Sequence, residues 1–176
     1  MASQEPSPLE SDLAGRSKDD YGDNYESHAL DIYKLYIQMA DNISARRQSA
    51  NSFFLGINTA IVVFVTYVNL GNDRAPAEES LSWIVALAGM VLCYLWYRLV
   101  RSYKDMNSGK FKVVHEIEKR LPLRPYNAEW TAIGRGEDPK TYLPFTNIET
   151  LVPWVFVTLH IIAFLRSVPW VWLCNR

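Results

Sequence analysis

Phe53–Leu70, FFLGINTAIVVFVTYVNL, runs for eighteen residues without a charged side chain. At 1.5 Å per residue such a helix covers about 27 Å, close to the hydrocarbon thickness of a bilayer. It is apolar all round, whereas a helix of a soluble bundle would keep a polar face. The stretch predicts a membrane span.

A second span is expected downstream. Leu81–Val100, LSWIVALAGMVLCYLWYRLV, stays uncharged until Arg98, and the ten residues GNDRAPAEES (71–80) between the two are polar, with Gly71 and Pro76. The two spans therefore read as an antiparallel hairpin. Arg46 and Arg47 precede the first span, and Arg98, Arg101, Lys104, Lys110 and Lys112 follow the second, while the connecting loop carries only Arg74. That bias expects loop 71–80 outside, with the N-terminus and residues 101–147 in the cytoplasm. Trp83 near one end and Trp96 and Tyr97 near the other fit interfacial belts.

The third apolar block, Leu151–Leu173, is interrupted. Fifteen residues, LVPWVFVTLHIIAFL, precede Arg166, and they cover only about 22 Å. Arg166 near a helix end can snorkel, which would leave Trp170 and Trp172 at the outer interface. Pro153 is tolerable near a helix start. A third span is the reading favoured here, against a re-entrant or interfacial helix. His160 lies mid-block, where an ionisable residue is a functional candidate, or else a neutral imidazole bonded to a neighbouring helix. Asn58, with Thr59 and Thr66, is polar inside the first span, and such side chains more often bond between helices than line a conduit.

Outside these blocks the chain is polar, so a mean hydropathy of −0.09 averages two unlike parts of 176 residues. A net charge of −1 gives no sign of a strongly basic nucleic-acid binder, and no specific nucleic acid is expected as partner. The two cysteines, Cys93 and Cys174, supply neither a disulfide framework nor metal-ligand spacing. Residues 1–24, rich in Ser, Pro, Asp and Glu, lack a signal-peptide pattern and are expected to be disordered.

Residues 25–50 predict a cytoplasmic helix with two apolar faces, one of Leu30, Tyr33, Ile37 and Ala40, the other of Ile32, Tyr36, Met39 and Ile43. It is either wedged between helices of its own chain or meets another subunit. After the second span, Val114, Ile117 and Leu121 share a face, Glu116 and Arg120 are set for an i, i+4 pair, and Pro122 predicts the helix end. Asn107-Ser108-Gly109 is a candidate kink. In the loop-rich stretch that follows, Asn127 is expected to cap a short helix with Trp130 packed inward.

The expected fold is all-α: a two-span hairpin at 51–100, a third membrane segment within 148–176, and a cytoplasmic helical layer from 25–50 and 101–147. No nucleotide-binding glycine loop, zinc motif or nucleophile elbow is present, and no cofactor or metal is expected. Arg101, Asn107 and His115, flanked by Lys104 and Lys110, form the one constellation with catalytic residue types. Metal-independent ribonucleases of the HEPN type place four to six residues, the first of them polar, between Arg and His; here Arg101 and His115 are fourteen positions apart. A solvated basic face attracted to anionic headgroups explains the same residues.

Three stretches carry a resemblance: ISARRQSANSFFLGINTA, WYRLVRSYKDMNSGKFKVVHEIEKRLPLRPY and YLPFTNIETLVPWVF. Over roughly residues 25–165 the chain resembles a family of short bacterial proteins labelled only as small integral membrane proteins, which implies a bacterial inner membrane. In plan it is more distantly similar to SLATT-type two-span effectors, which implies pore formation under a cytoplasmic signal and assigns no catalytic residue. The expected function is thus a non-enzymatic, homo-oligomeric membrane protein that permeabilises the bilayer under cytoplasmic control by a signal or partner protein. The alternatives are a membrane-tethered HEPN-like nuclease or nucleotide-handling enzyme, and a scaffold or assembly factor. Asn58, Arg101, Asn107, His115, His160 and Arg166 are the candidate functional residues.

Overall fold

The computed structural model describes residues 8–70, 76–137 and 145–168. Expectations about loop residues 71–75, about Trp170 and Trp172 and about Cys174 lie outside the described residues. In chain order the elements are α1 (Pro8–Leu13), α2 (Lys18–Tyr21), α3 (Tyr25–Leu70), α4 (Pro76–Glu118), α5 (Pro125–Ala132), a 3₁₀ turn (Gly134–Gly136) and α6 (Phe145–Ser167). Among the described residues every regular element is helical. Three of the helices are long and apolar enough to cross a membrane. The chain divides into two compact units, Met1–Ala45 with Tyr103–Pro144 and Arg46–Ser102 with Phe145–Arg176.

The second unit contains the three apolar blocks. The third block is longer than its charge-free core suggests. α6 starts at Phe145, so its 23 residues cover about 34 Å, a full span. Pro153 therefore sits inside the helix rather than at its start, where it withholds the N–H that the Glu149 carbonyl would otherwise receive. Large apolar side chains point outward on each span, among them Phe53, Val63, Leu87, Val91, Leu151 and Ile162. That distribution suits a solvent of acyl chains and not water. Trp96 departs from the expected interfacial placement: it is buried, stacked on Phe54 with centroids 5.9 Å apart and tilted on Phe156 at 6.1 Å. Its indole N–H donates to Asn51 Oδ1 at 2.8 Å, which is why a tryptophan can be enclosed there.

The first unit is built on a cluster of Tyr33, Val114 and Ile117, with Leu13, Tyr36, Ile37, Leu121 and Tyr126 packed against it. Leu13 comes from the stretch expected to be disordered. Two short helices form there, and Ser17 caps α2 by accepting from the Asp20 N–H at 3.2 Å. α4 is unbroken through Asn107-Ser108-Gly109, so the expected kink is absent. It stops at Glu118, before Pro122. Glu116 pairs with Lys119 at 2.7 Å and not with Arg120, and it is nearly buried. The two apolar faces expected on α3 do not separate into one buried and one open: Tyr33 and Ala40 of the first are buried but Leu30 is exposed, and Ile43 of the second is buried while Ile32 and Met39 are exposed.

Candidate functional site

Asn58 of α3 is fully buried, and its amide is used on both sides. Nδ2 donates to the Phe54 carbonyl one turn back at 2.8 Å. Oδ1 therefore faces the other helices, accepting from Cys93 Sγ of α4 at 3.1 Å and lying 3.0 Å from His160 Nε2 of α6. With an acceptor opposite it, Nε2 must carry the imidazole proton, which leaves Nδ1 bare. Nδ1 is buried and has no hydrogen-bond partner among the described residues. One amide thus ties together all three helices of this unit.

The ring is seated by a missing side chain. A Cβ placed on Gly89 of α4 would run into the His160 imidazole, so only glycine lets the ring lie against that helix. Nearer one end of the same unit, Arg47 Nε and Glu149 Oε2 form a second link between α3 and α6 at 3.5 Å, largely shielded from solvent. Of the six residues singled out from sequence, Asn58 and His160 are brought together. Their partners Cys93 and Gly89 are not among the residues that the sequence singles out.

The remaining candidates do not converge. Arg101 is exposed and turns back on its own helix, with Nη1 3.2 Å from Tyr97 Oη and its guanidinium 5.9 Å from that ring. Arg166 is exposed in the last turn of α6. Asn107 has a buried Oδ1 without a hydrogen-bond partner among the described residues. His115 faces Glu118, with Nδ1 3.7 Å from Oε2, beyond hydrogen-bonding distance.

Glu118 is the residue that sequence reasoning missed. Its side chain is fully buried at the end of α4. Oε1 accepts from Tyr33 Oη at 2.8 Å and from the Tyr126 N–H at 2.9 Å, and Oε2 accepts from the Asn127 N–H at 3.0 Å. Tyr126 and Asn127 lie in the first turn of α5, behind Pro125 at its start. Arg124, at the cap position, makes no side-chain cap bond, so a carboxyl from another helix satisfies the orphan donors. Asn127 is inside α5 rather than its cap, and Trp130 is partly exposed rather than packed inward. Burial, followed by the bond to Glu118, holds the Tyr33 hydroxyl well above the ordinary tyrosine pKa. Tyr126 is also raised, chiefly by burial.

The first unit also encloses an open cavity of about 630 Å³, lined mainly by apolar and aromatic side chains including Leu13, Tyr21, Tyr25, Leu30, Ile117 and Leu121. Arg16 and Arg120 stand at it as well. Among the described residues no group of three or more His, Cys, Asp or Glu side chains is placed to hold a metal.

Residues 30–169 match the model of the family described as the octameric membrane protein family, 8xMP. The chain belongs to that family. The match to the octameric membrane protein family takes in α6 and nearly all of α3, so Asn58, Cys93, His160 and Glu118 all fall within the matched range. No curated protein and no solved structure matches the chain. An integral membrane protein of three apolar helices is the reading on which the family and the fold agree.

Proposed function

We propose that this chain is a non-enzymatic building block of a homo-octameric membrane assembly that permeabilises the bilayer under control from the cytoplasmic side. The observation that carries the proposal is membership, over residues 30–169, of a family described as octameric. The polar cluster at membrane depth supports it. Asn58 Oδ1 already accepts from Cys93 and His160, so the cluster works as a clamp that makes three helices one block. Rings are assembled from such blocks. On this reading residues 71–80 are outside, the first unit is cytoplasmic, and its 630 Å³ cavity is where a small ligand would be sensed. The nuclease alternative would need Arg101 and His115 to act on one phosphate, and Arg101 instead turns back on Tyr97 of its own helix.

The test combines mass with leakage. A protomer of 20.2 kDa should elute, solubilised and corrected for detergent, as a particle of about 160 kDa of protein. Cells expressing the chain should lose membrane potential by dye, and His115→Ala should change neither mass nor leakage. A single-copy mass, or RNA cleavage that disappears with His115 while potential is kept, would overturn it.

A further inference from the structure

The two glycines within the first two spans are not equivalent. Gly89 is required by His160 of the same chain, whereas a Cβ on Gly56 would meet nothing within 4 Å. Glycine inside a helix is destabilising by about 1 kcal/mol against alanine, and the protomer gives Gly56 no reason to be there. The hydroxyls repeat the contrast. Thr158 of α6 donates to its own Trp154 carbonyl at 3.0 Å. Ser52, Thr59 and Thr66 of α3 are exposed, and among the described residues their hydroxyls have no hydrogen-bond partner. Acyl chains offer them none either.

Ser52, Gly56, Thr59 and Thr66 follow one another at spacings of four, three and seven, so they share one face of α3. Val63 lies on the same face, so what sets this face apart is the row of a glycine and hydroxyls and not a lack of apolar groups; the exposed faces of α4 and α6 carry Leu87, Val91, Leu159 and Ile162, which lipid solvates well. We infer that the Ser52–Gly56–Thr59–Thr66 face of α3 is one of the two surfaces through which copies of this chain pack in the assembly, while the Leu87 and Val91 side of α4 and the Leu159 and Ile162 side of α6 face lipid. A neighbouring helix brings carbonyls and hydroxyls within reach of these groups, and Gly56 lets the backbones approach. Among possible occupants a second copy is indicated because the family is described as octameric. The inference rests on the assembly proposed above and adds which face builds it.

The experiment uses the full-length chain in detergent, with mass read by light scattering. The unsubstituted protein is measured first: a single-copy mass there would sink the assembly itself. Given an oligomer, Gly56→Trp and Thr59→Trp should release protomers that keep their helical circular dichroism. Leu87→Trp and Ile162→Trp should keep the parental mass. Retention of mass by both pairs, or dissociation by the α4 and α6 pair alone, overturns the inference. Thr59→Val guards against misfolding, since it keeps the shape and removes only the hydroxyl; it should raise the protomer fraction at a fixed detergent concentration. In a Cys93→Ser, Cys174→Ser background, Thr59→Cys should react slowly with a water-soluble maleimide in the oligomer and quickly after dissociation. Fast reaction in the intact oligomer would place water on this face and also overturn it.

Discussion

Asn58 and His160, 102 residues apart in the chain, meet at 3.0 Å inside the membrane-spanning unit. Since Asn58 Nδ2 is held by Phe54, only its oxygen is available, and the pair has one polarity. Asn58→Ala and His160→Ala should each lower stability by about 1–2 kcal/mol, with a coupling in the double variant of about 0.6–1.7 kcal/mol. Thermal unfolding of the detergent-solubilised protein, followed by circular dichroism, gives all four corners of the cycle. Strict additivity would mean that the contact contributes nothing.

Gly89→Ala should behave in two opposite ways. With His160 present the new methyl overlaps the imidazole and costs about 1–3 kcal/mol. In a His160→Ala background the same change should be neutral or stabilising by up to about 1 kcal/mol, the ordinary gain of alanine over glycine in a helix. The same melts read the sign, and an unchanged cost in the second background would refute the account.

Removing the Glu118 carboxyl should loosen α5 first. Glu118→Ala strips the acceptor from the Tyr126 and Asn127 N–H groups and from Tyr33 Oη, a loss of about 2–4 kcal/mol. Amide hydrogen exchange at residues 126 and 127 should accelerate while Asn58 and its neighbours stay protected. Tyr33→Phe should be milder, about 1 kcal/mol.

Alkaline pH offers a separate handle on that tyrosine. Its folded pKa is raised above the unfolded value, so its contribution is complete below the ordinary tyrosine range, near pH 10. It is then lost as pH climbs through the folded value. The unfolding temperature of Tyr33→Phe should therefore fall less steeply above pH 10 than that of the parent.

Orientation can be read by labelling. A cysteine replacing Ala77 should react with an impermeant reagent from outside, one replacing Ser108 should not, and a periplasm-active reporter fused after Arg176 should be active. Reversed labelling would invert the proposed topology.

The spans were legible because lipid imposes a demand that sequence displays directly: a run with no polar face. Even so, α6 was read short, because counting back from Arg166 began at Leu151 whereas the helix accepts Thr146, Asn147 and Glu149 in its first turns. Asn58 and His160 were each visible as polar residues among apolar ones. Their pairing was not, since it depends on how two helices are set against each other. Cys93 and Gly89 carry no signal outside that register. Glu118 was hidden for another reason: a carboxylate near a helix end looks like a solvated face, and only the path of the chain through Pro122 to Pro125 brings α5 onto it. Leu13 likewise sits in a polar context that gives no hint of its place against Tyr33 and Ile117.

The clamp at Asn58 has a history within each molecule. Its oxygen belongs to the first span to be synthesised, and its acceptor sites stay empty until later segments arrive: Cys93 after 35 residues and His160 after 102. At about 5–20 residues per second, the stronger donor follows about 5–20 s behind Asn58. Between the two arrivals Asn58 has its donor side on Phe54 and only the weak Cys93 thiol on its oxygen. A chain interrupted before α6 therefore keeps a half-met amide at membrane depth, a mark by which an unfinished copy differs chemically from a finished one.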